Sequence, residues 1–175
     1  MNGYGQLGIN NKDDQIIWTQ EYLEDTDWAF VEAGYWFTVA IKTDGTLWVT
    51  GANAYGQLGL GDNGTGTERV VFTKVGSDTD WYQACAGYFH MIAVKTDGAM
   101  YSTGRNNYGQ LGLEDTTNRN ELTEITNSLI VGSDETITEW LYVVCGAYHS
   151  LAFGSYTETT YIDPPEDEEP IVWPM

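Results

Sequence analysis

Three copies of one short string limit what this chain can fold into. "NGYGQLGIN" (2 to 10), "NAYGQLGLGD" (53 to 62) and "NNYGQLGLED" (106 to 115) share Tyr-Gly-Gln-Leu-Gly, headed by Tyr4, Tyr55 and Tyr108. The steps from Tyr4 to Tyr55 and from Tyr55 to Tyr108 are 51 and 53 residues. A longer landmark keeps the same period: "DTDWAFVEAGYWFTVAIKTDGTLWVTG" (25 to 51) matches "DTDWYQACAGYFHMIAVKTDGAMYSTG" (78 to 104), and "EWLYVVCGAYHSLAF" (139 to 153) is a looser third copy. Trp28 and Trp81 are 53 residues apart and Trp140 follows 59 further on, so the last step carries an insertion. A fixed period of this size marks a repeat protein, whose units bury their apolar faces against one another.

Inside one copy, "WAFVEA", "WFTVAI" and "TLWVTG" are short, rich in β-branched and aromatic residues, and closed off by glycine. Those features predict strands rather than helices. Asp44-Gly45 in "KTDGT" and Asp97-Gly98 in "KTDGA" predict tight hairpins with positive φ at the pair. "ERVVFTKVG" (68 to 76) supplies a fourth, outer strand. Four antiparallel strands repeated at this spacing predict an all-β fold of β-propeller blades, a partial propeller of about three blades. The repeats fall at 1–14 (the end of a preceding blade), 15–69, 70–122 and 123–162, with a tail over 163–175.

The glycines of the repeated string (Gly3, Gly5 and Gly8; Gly56 and Gly59; Gly109 and Gly112) suit a loop folded back on its sheet, because they reach backbone conformations closed to residues with a Cβ. Leu7, Leu58 and Leu111, with the three tyrosines, are expected beneath the neighbouring blade, which makes the string structural. A chain that opens on this loop reads as starting with the tail of a blade whose strands lie elsewhere.

The charge is one-sided, with seven Lys and Arg against 26 Asp and Glu, a formal net of −19, and no Lys or Arg after Arg119. Phosphate backbones need cationic contacts, so nucleic acid is excluded as the expected partner. No apolar run reaches the roughly 18 residues that span a bilayer, and no signal peptide is evident, so neither membrane insertion nor export is expected. Cys85 and Cys145 stand two and one residues before the matched glycines Gly87 and Gly146. In a strand that offset points them to opposite faces, and both are expected as unpaired buried thiols.

No catalytic, cofactor or metal constellation can be assembled by spacing. His90 and His149 share one repeat position, which holds Phe37 in the first copy, so they are expected as packing residues bonded to backbone. "DNGTGTE" (62 to 68) resembles a calcium loop superficially but lacks the alternation of oxygen ligands. "DPPEDEEP" (163 to 170) is expected as an extended acidic tail, and "IVWPM" after it as an apolar patch available to a partner.

Taken together, "AGYFHMIAVKTDGAMYSTGRNNYGQLGLED" resembles a repeat of the regulator of chromosome condensation family, and the likeness extends to about residue 153. The resemblance implies blades of a seven-bladed propeller; "DTDW", "KTDGTLW" and "DTTNR" are similar to bacterial or phage-encoded versions. The founding member acts on a small nuclear GTPase and docks on chromatin, but no basic arm or exchange loop is matched here. The plant ultraviolet-B photoreceptor shares the fold and relies on Gly-Trp-Arg-His-Thr motifs. Here the stretches are "GYWFT", "GYFHM" and "GAYHS", without the arginine, and the tryptophans are read as core and interblade packing.

Seven blades of about 50 residues need about 350, so three repeats leave two apolar end faces to be covered. A second copy, another protein or further blades of a longer polypeptide could cover them. The function expected from this is a non-enzymatic binding or structural module that offers a propeller surface to a protein or glycan. It is expected as a virion or cell-surface component, with the cytoplasm as the alternative location. A guanine-nucleotide-exchange-like regulator is the alternative function, and an enzyme with a site in the propeller channel ranks last.

Overall fold

The computed structural model describes residues 1–126 and 137–156. The first sheet comprises β1 (Trp28–Ala33), β2 (Phe37–Lys42), β3 (Leu47–Gly51) and β4 (Arg69–Lys74), and the second β5 (Trp81–Ala86), β6 (His90–Lys95), β7 (Met100–Gly104) and β8 (Arg119–Glu124). Both are antiparallel meanders in chain order, followed by the hairpin β9 (Ile137–Cys145) and β10 (Ser150–Tyr156). These are the four-stranded blades the period predicts. Since β4 and β8 end at Lys74 and Glu124, each sheet runs past the repeat limits drawn at 69 and 122. The predicted tail and its "IVWPM" end lie outside the described residues.

The β2–β3 turn differs from the expected pair of positive φ angles. Gly45 alone adopts it, at 76°, with its N–H donating to Lys42 O at 2.9 Å and Lys42 N–H donating to Thr46 O at 3.0 Å. The connection is therefore a three-residue loop that ends on a left-handed glycine. Asp44 contributes through its side chain: Oδ1 accepts from Thr46 N–H at 3.0 Å and from the Thr46 hydroxyl at 2.6 Å. Gly45 also abuts the next blade, where a Cβ would lie 2.1 Å from Thr79 O. Trp81 N–H donates to Gly45 O at 3.1 Å, and Trp140 N–H repeats that bond to Gly98 O at 3.2 Å.

Successive sheets stack face against face. At the first seam Phe37, Val39, Ile41, Leu47 and Val49 pack on Trp81, Ala84, Ala86, Met91 and Ala93, all of them buried. At the second, Cys85, Ile92, Val94 and Met100 pack on Val143, with Trp140, Cys145 and Ala152 at its margin. Here the expectation of two unpaired thiols fails, because Cys85 and Cys145 form a disulfide with their Cα atoms 5.4 Å apart. The one-residue offset that points them to opposite faces of equivalent strands is what brings them together. The leading face of one sheet meets the trailing face of the next, so only residues of opposite parity can meet across a seam.

The Tyr-Gly-Gln-Leu-Gly loop of one repeat lies on the next sheet. The Thr103 hydroxyl donates to Gly56 O at 2.9 Å and the Thr50 hydroxyl to Gly5 O at 2.9 Å. A Cβ on Gly56 would stand 2.5 Å from Asn120 Cα, and one on Gly5 2.7 Å from Val70 Cα. Residues 2–10 thus occupy on the first sheet the place that 53–61 occupy on the second. Each loop is tied by a buried asparagine not singled out from sequence: Asn2, Asn53 and Asn106 accept at Oδ1 from the N–H of Leu7, Leu58 and Leu111 at 2.9, 3.1 and 2.9 Å.

Candidate functional site

Leu58 and Leu111 are fully buried, as expected, but Leu7 is 39% exposed and the tyrosines are not beneath the sheet. Tyr4 is 40% exposed and Tyr108 69%. The loop lies flat, so its leucine points into the seam while its tyrosine is left at the rim, held by a bond from its N–H to the glutamine Oε1 two residues on, at 3.1, 2.9 and 3.0 Å in the three copies. There each tyrosine meets a ring from the turn before β2, β6 or β10. Tyr4–Trp36, Tyr55–Phe89 and Tyr108–Tyr148 have centroids 4.9, 5.0 and 5.9 Å apart. Tyr35 stacks on Tyr88 at 4.4 Å, and Tyr88 meets Tyr148 at 5.1 Å, which joins the three pairs into one aromatic rim across all three blades.

Arg105 lies among these rings, its Cζ 5.2 Å from the Tyr55 centroid, 5.8 Å from Tyr108 and 5.9 Å from Phe89. Among the described residues no carboxylate lies within 4.0 Å of its guanidinium, whereas Lys12, Lys42, Arg69, Lys95 and Arg119 each have one. In a chain of net charge −19 this leaves a cation on an aromatic bed with its fork uncommitted.

The opposite rim is closed by ion pairs. Lys42 Nζ lies 2.6 Å from Asp25 and 3.2 Å from Asp27, and 4.9 and 4.7 Å from the Trp28 and Trp48 ring centroids. Lys95 repeats this with Asp78 at 2.7 Å, Asp80 at 3.3 Å, and the Trp81 and Tyr101 rings. The two carboxylates raise the Lys95 ammonium above its usual range, Asp78 most strongly; for Lys42, Asp25 and Asp27 outweigh the opposing effect of burial. The constant fourteen residues from Trp28 to Lys42 and from Trp81 to Lys95 could have exposed this cage, since the two face each other across β1–β2 and β5–β6.

The histidines separate. His90 is fully buried, and its Nε2 lies 2.9 Å from Ser150 Oγ on β10. Because that hydroxyl donates to Gln110 O at 3.1 Å, Nε2 must be the protonated nitrogen. Burial, helped by neighbouring His149, pushes His90 down to about 4. His149 is itself exposed, so the two share a repeat position but not an environment. Of the landmark tryptophans, Trp81 is buried at the first seam, Trp140 is half-buried at the second, and Trp28 is half-buried against Trp48 and Phe72 of its own sheet, whereas Trp18 is fully exposed and does not fit the packing role expected of it. In the calcium-like stretch, Asp62 is bonded to Arg69 at 2.7 Å and Asn53 at 2.8 Å.

Stacked four-stranded antiparallel sheets with loops docked from blade to blade define an arc of a β-propeller. The chain belongs to the regulator of chromosome condensation (RCC1) repeat family: one form of the repeat matches residues 44–94 and 97–153, and a second form 28–57 and 82–110. It is 31% identical over 133 residues to the human probable E3 ubiquitin-protein ligase HERC4, covering 74% of this chain and 12% of that one. It is also 31% identical over 118 residues to the Arabidopsis thaliana ultraviolet-B receptor UVR8, covering 67% of this chain and 27% of the receptor. In three dimensions it resembles Saccharomyces cerevisiae Prp20p, with a TM-score of 0.70, 22% identity, and 91% and 39% of the two chains covered. The chain thus spans well under half of each.

These relatives are from human, plant and yeast, and give no support to a bacterial or phage character. They also correct the expectation of a non-enzyme. Proteins carrying these repeats include one named as a ubiquitin ligase, so a missing catalytic constellation in one arc does not set the class of the whole protein.

Proposed function

We propose that this arc is a protein-recognition module that binds through its aromatic rim. The observation that supports this is the threefold ring pairing, Tyr4–Trp36, Tyr55–Phe89 and Tyr108–Tyr148, with Arg105 unpaired in its midst. Tyr, Trp and Arg are the side chains that dominate protein interfaces, since each offers a large rigid contact area with a polar end. A photo-crosslinking residue at Tyr108, with the product identified by mass spectrometry, tests this. A specific protein adduct that disappears in Arg105→Ala and Tyr35→Ala, and persists when Lys74, which pairs with Trp48 on the side of the Lys42 cage, is changed, is the expected result. Adducts unaffected by the rim changes, or stacking on a glycan with no protein adduct, would remove the proposal.

A second reading draws on Prp20p, studied for its binding to Gsp1p and histones. A regulator of a small GTPase would accelerate nucleotide release, and a flat response across a GTPase panel would dispose of it.

A further inference from the structure

The stretch "DNGTGTE" holds a feature that the rest of the chain does not repeat. Of the chain's asparagines, Asn63 alone heads an Asn-x-Ser/Thr triplet, Asn63-Gly64-Thr65. That triplet is the acceptor signal for N-linked glycans, in which a hydroxyl two residues on is required beside the carboxamide. A three-residue match arises easily by chance, so its place in the fold must decide.

The β3–β4 and β7–β8 connections close with the same clasp. In the first, Asn53 Nδ2 donates to Asp62 O at 2.9 Å, and Arg69 donates to Asp62 Oδ2 at 2.7 Å and also to Thr67 O. In the second, Asn106 Nδ2 donates to Asp115 O at 2.9 Å, and Arg119 donates to Asp115 Oδ2 at 2.6 Å and to Thr117 O at 2.7 Å. Between the Asp and the Thr of the clasp the second copy has one residue, Thr116, and the first has four, residues 63–66. The triplet is therefore an insertion outside a closure that is complete without it.

The fold makes no use of the insertion's side chains. Asn63 and Thr65 are exposed, and neither side chain makes a hydrogen bond, ion pair or ring contact with any described residue. Gly64 and Gly66 take φ of 102° and 84°, and a Cβ on either would meet nothing within 4 Å. Gly64 N–H donates to Asn53 O at 3.1 Å and the Thr67 hydroxyl to Gly64 O at 2.9 Å, so the backbone is held while Asn63 stands clear. The Cys85–Cys145 disulfide gives independent support, because such bonds form and persist in the oxidising compartments through which secreted proteins pass.

We propose that Asn63 is the acceptor of an N-linked glycan. The reaction joins Asn63 Nδ2 to the anomeric carbon of a lipid-pyrophosphate-linked oligosaccharide. The bond from that carbon to the pyrophosphate oxygen breaks, the lipid pyrophosphate departs with the electron pair, and one amide proton passes to a base of the transferring enzyme. The glycan projects from a tip free of blade contacts, so it adds a bulky polar group without altering a seam.

Expression of the full chain behind a secretion signal in cultured animal cells tests this. Thiol alkylation reports entry into the oxidising compartment, where Cys85 and Cys145 are expected to be protected by their disulfide. Part of the chain should migrate as a larger species that peptide N-glycosidase returns to the bare mass, with the glycan mapped to Asn63 by mass spectrometry. Asn63→Gln and Thr65→Ala should each abolish that species, and Thr65→Ser should retain a reduced amount. None of the three should shift the thermal midpoint of the unglycosylated chain. A disulfide-bonded chain whose Asn63 stays unmodified overturns the proposal. So does a chain whose thiols remain free there, which takes away the link to an oxidising compartment, or one that Asn63→Gln destabilises, which returns the residue to the fold.

Discussion

The two seams join equivalent strands of equivalent sheets, yet they are held differently. The first is an apolar contact, with Phe37, Val39 and Ile41 against Met91, Ala93 and Trp81. The second has the Cys85–Cys145 disulfide, a buried histidine, and Gln83, which reaches across to Val143 with Nε2 on its carbonyl and Oε1 on its N–H, both at 3.2 Å. Polar groups at the second seam are stabilising only while every partner is in place, whereas the first relies on non-directional burial. The first seam should therefore respond to shape, and the second to redox state and pH.

Phe37→Ala should produce the largest effect, about 3 to 5 kcal/mol in chemical denaturation, since a fully buried ring leaves a cavity at the apolar seam. An effect confined to a few tenths of that size would mean the seam relaxes around the gap and is not close-packed. Reducing the disulfide, or changing both cysteines to serine, should lower stability by about 2 to 4 kcal/mol. Amide exchange should then rise in β9 and β10 but not in β2; equal rises in both would show that the seams do not act separately.

The pH response follows from His90. Its imidazole titrates at 6.5 in the unfolded chain and at about 4 in the fold, so the unfolded state alone takes up a proton between those values. The contribution to stability is complete above pH 6.5 and is lost as pH falls toward 4, by about 3 kcal/mol in all. His90→Phe, which installs the residue the first copy has at this position, should flatten that slope, and an unchanged slope would assign it to other groups. Gln83→Ala should have the smallest effect, about 1 to 2 kcal/mol, by leaving the Val143 N–H and C=O without their side-chain partners. Urea unfolding measures it, and a neutral result would show that water replaces both bonds.

Much of the blade was legible in advance. The short β-branched runs, the Asp-Gly turns and the outer strand are local features, and the structure places β1 to β4 where they were expected and repeats them as β5 to β8, with the turn differing only in which residue takes positive φ. The site was less legible. Tyr4, Tyr55 and Tyr108 were recognised as a set but assigned to the interior, because a repeat position reveals that a residue matters and not which side of a loop it occupies. Arg105 offered no signal at all, since being unpaired is a property of its surroundings. The lysine cages could have been seen in the constant Trp-to-Lys spacing, had it been read as a cross-strand pair.

What the sequence by itself determined was the unit: four strands, their turns, and the glycine loop that recurs at each period, all set by alternation, propensity and left-handed backbone positions within a few tens of residues. What only the tertiary structure decided was everything that crosses a seam. Cys85 meets Cys145 across a separation of 60 residues and His90 meets Ser150 because stacked sheets bring opposite faces of equivalent strands together, while three rings meet three tyrosines because each glycine loop docks on the next sheet. That parity follows from the stacking of twisted sheets, and no single repeat contains it.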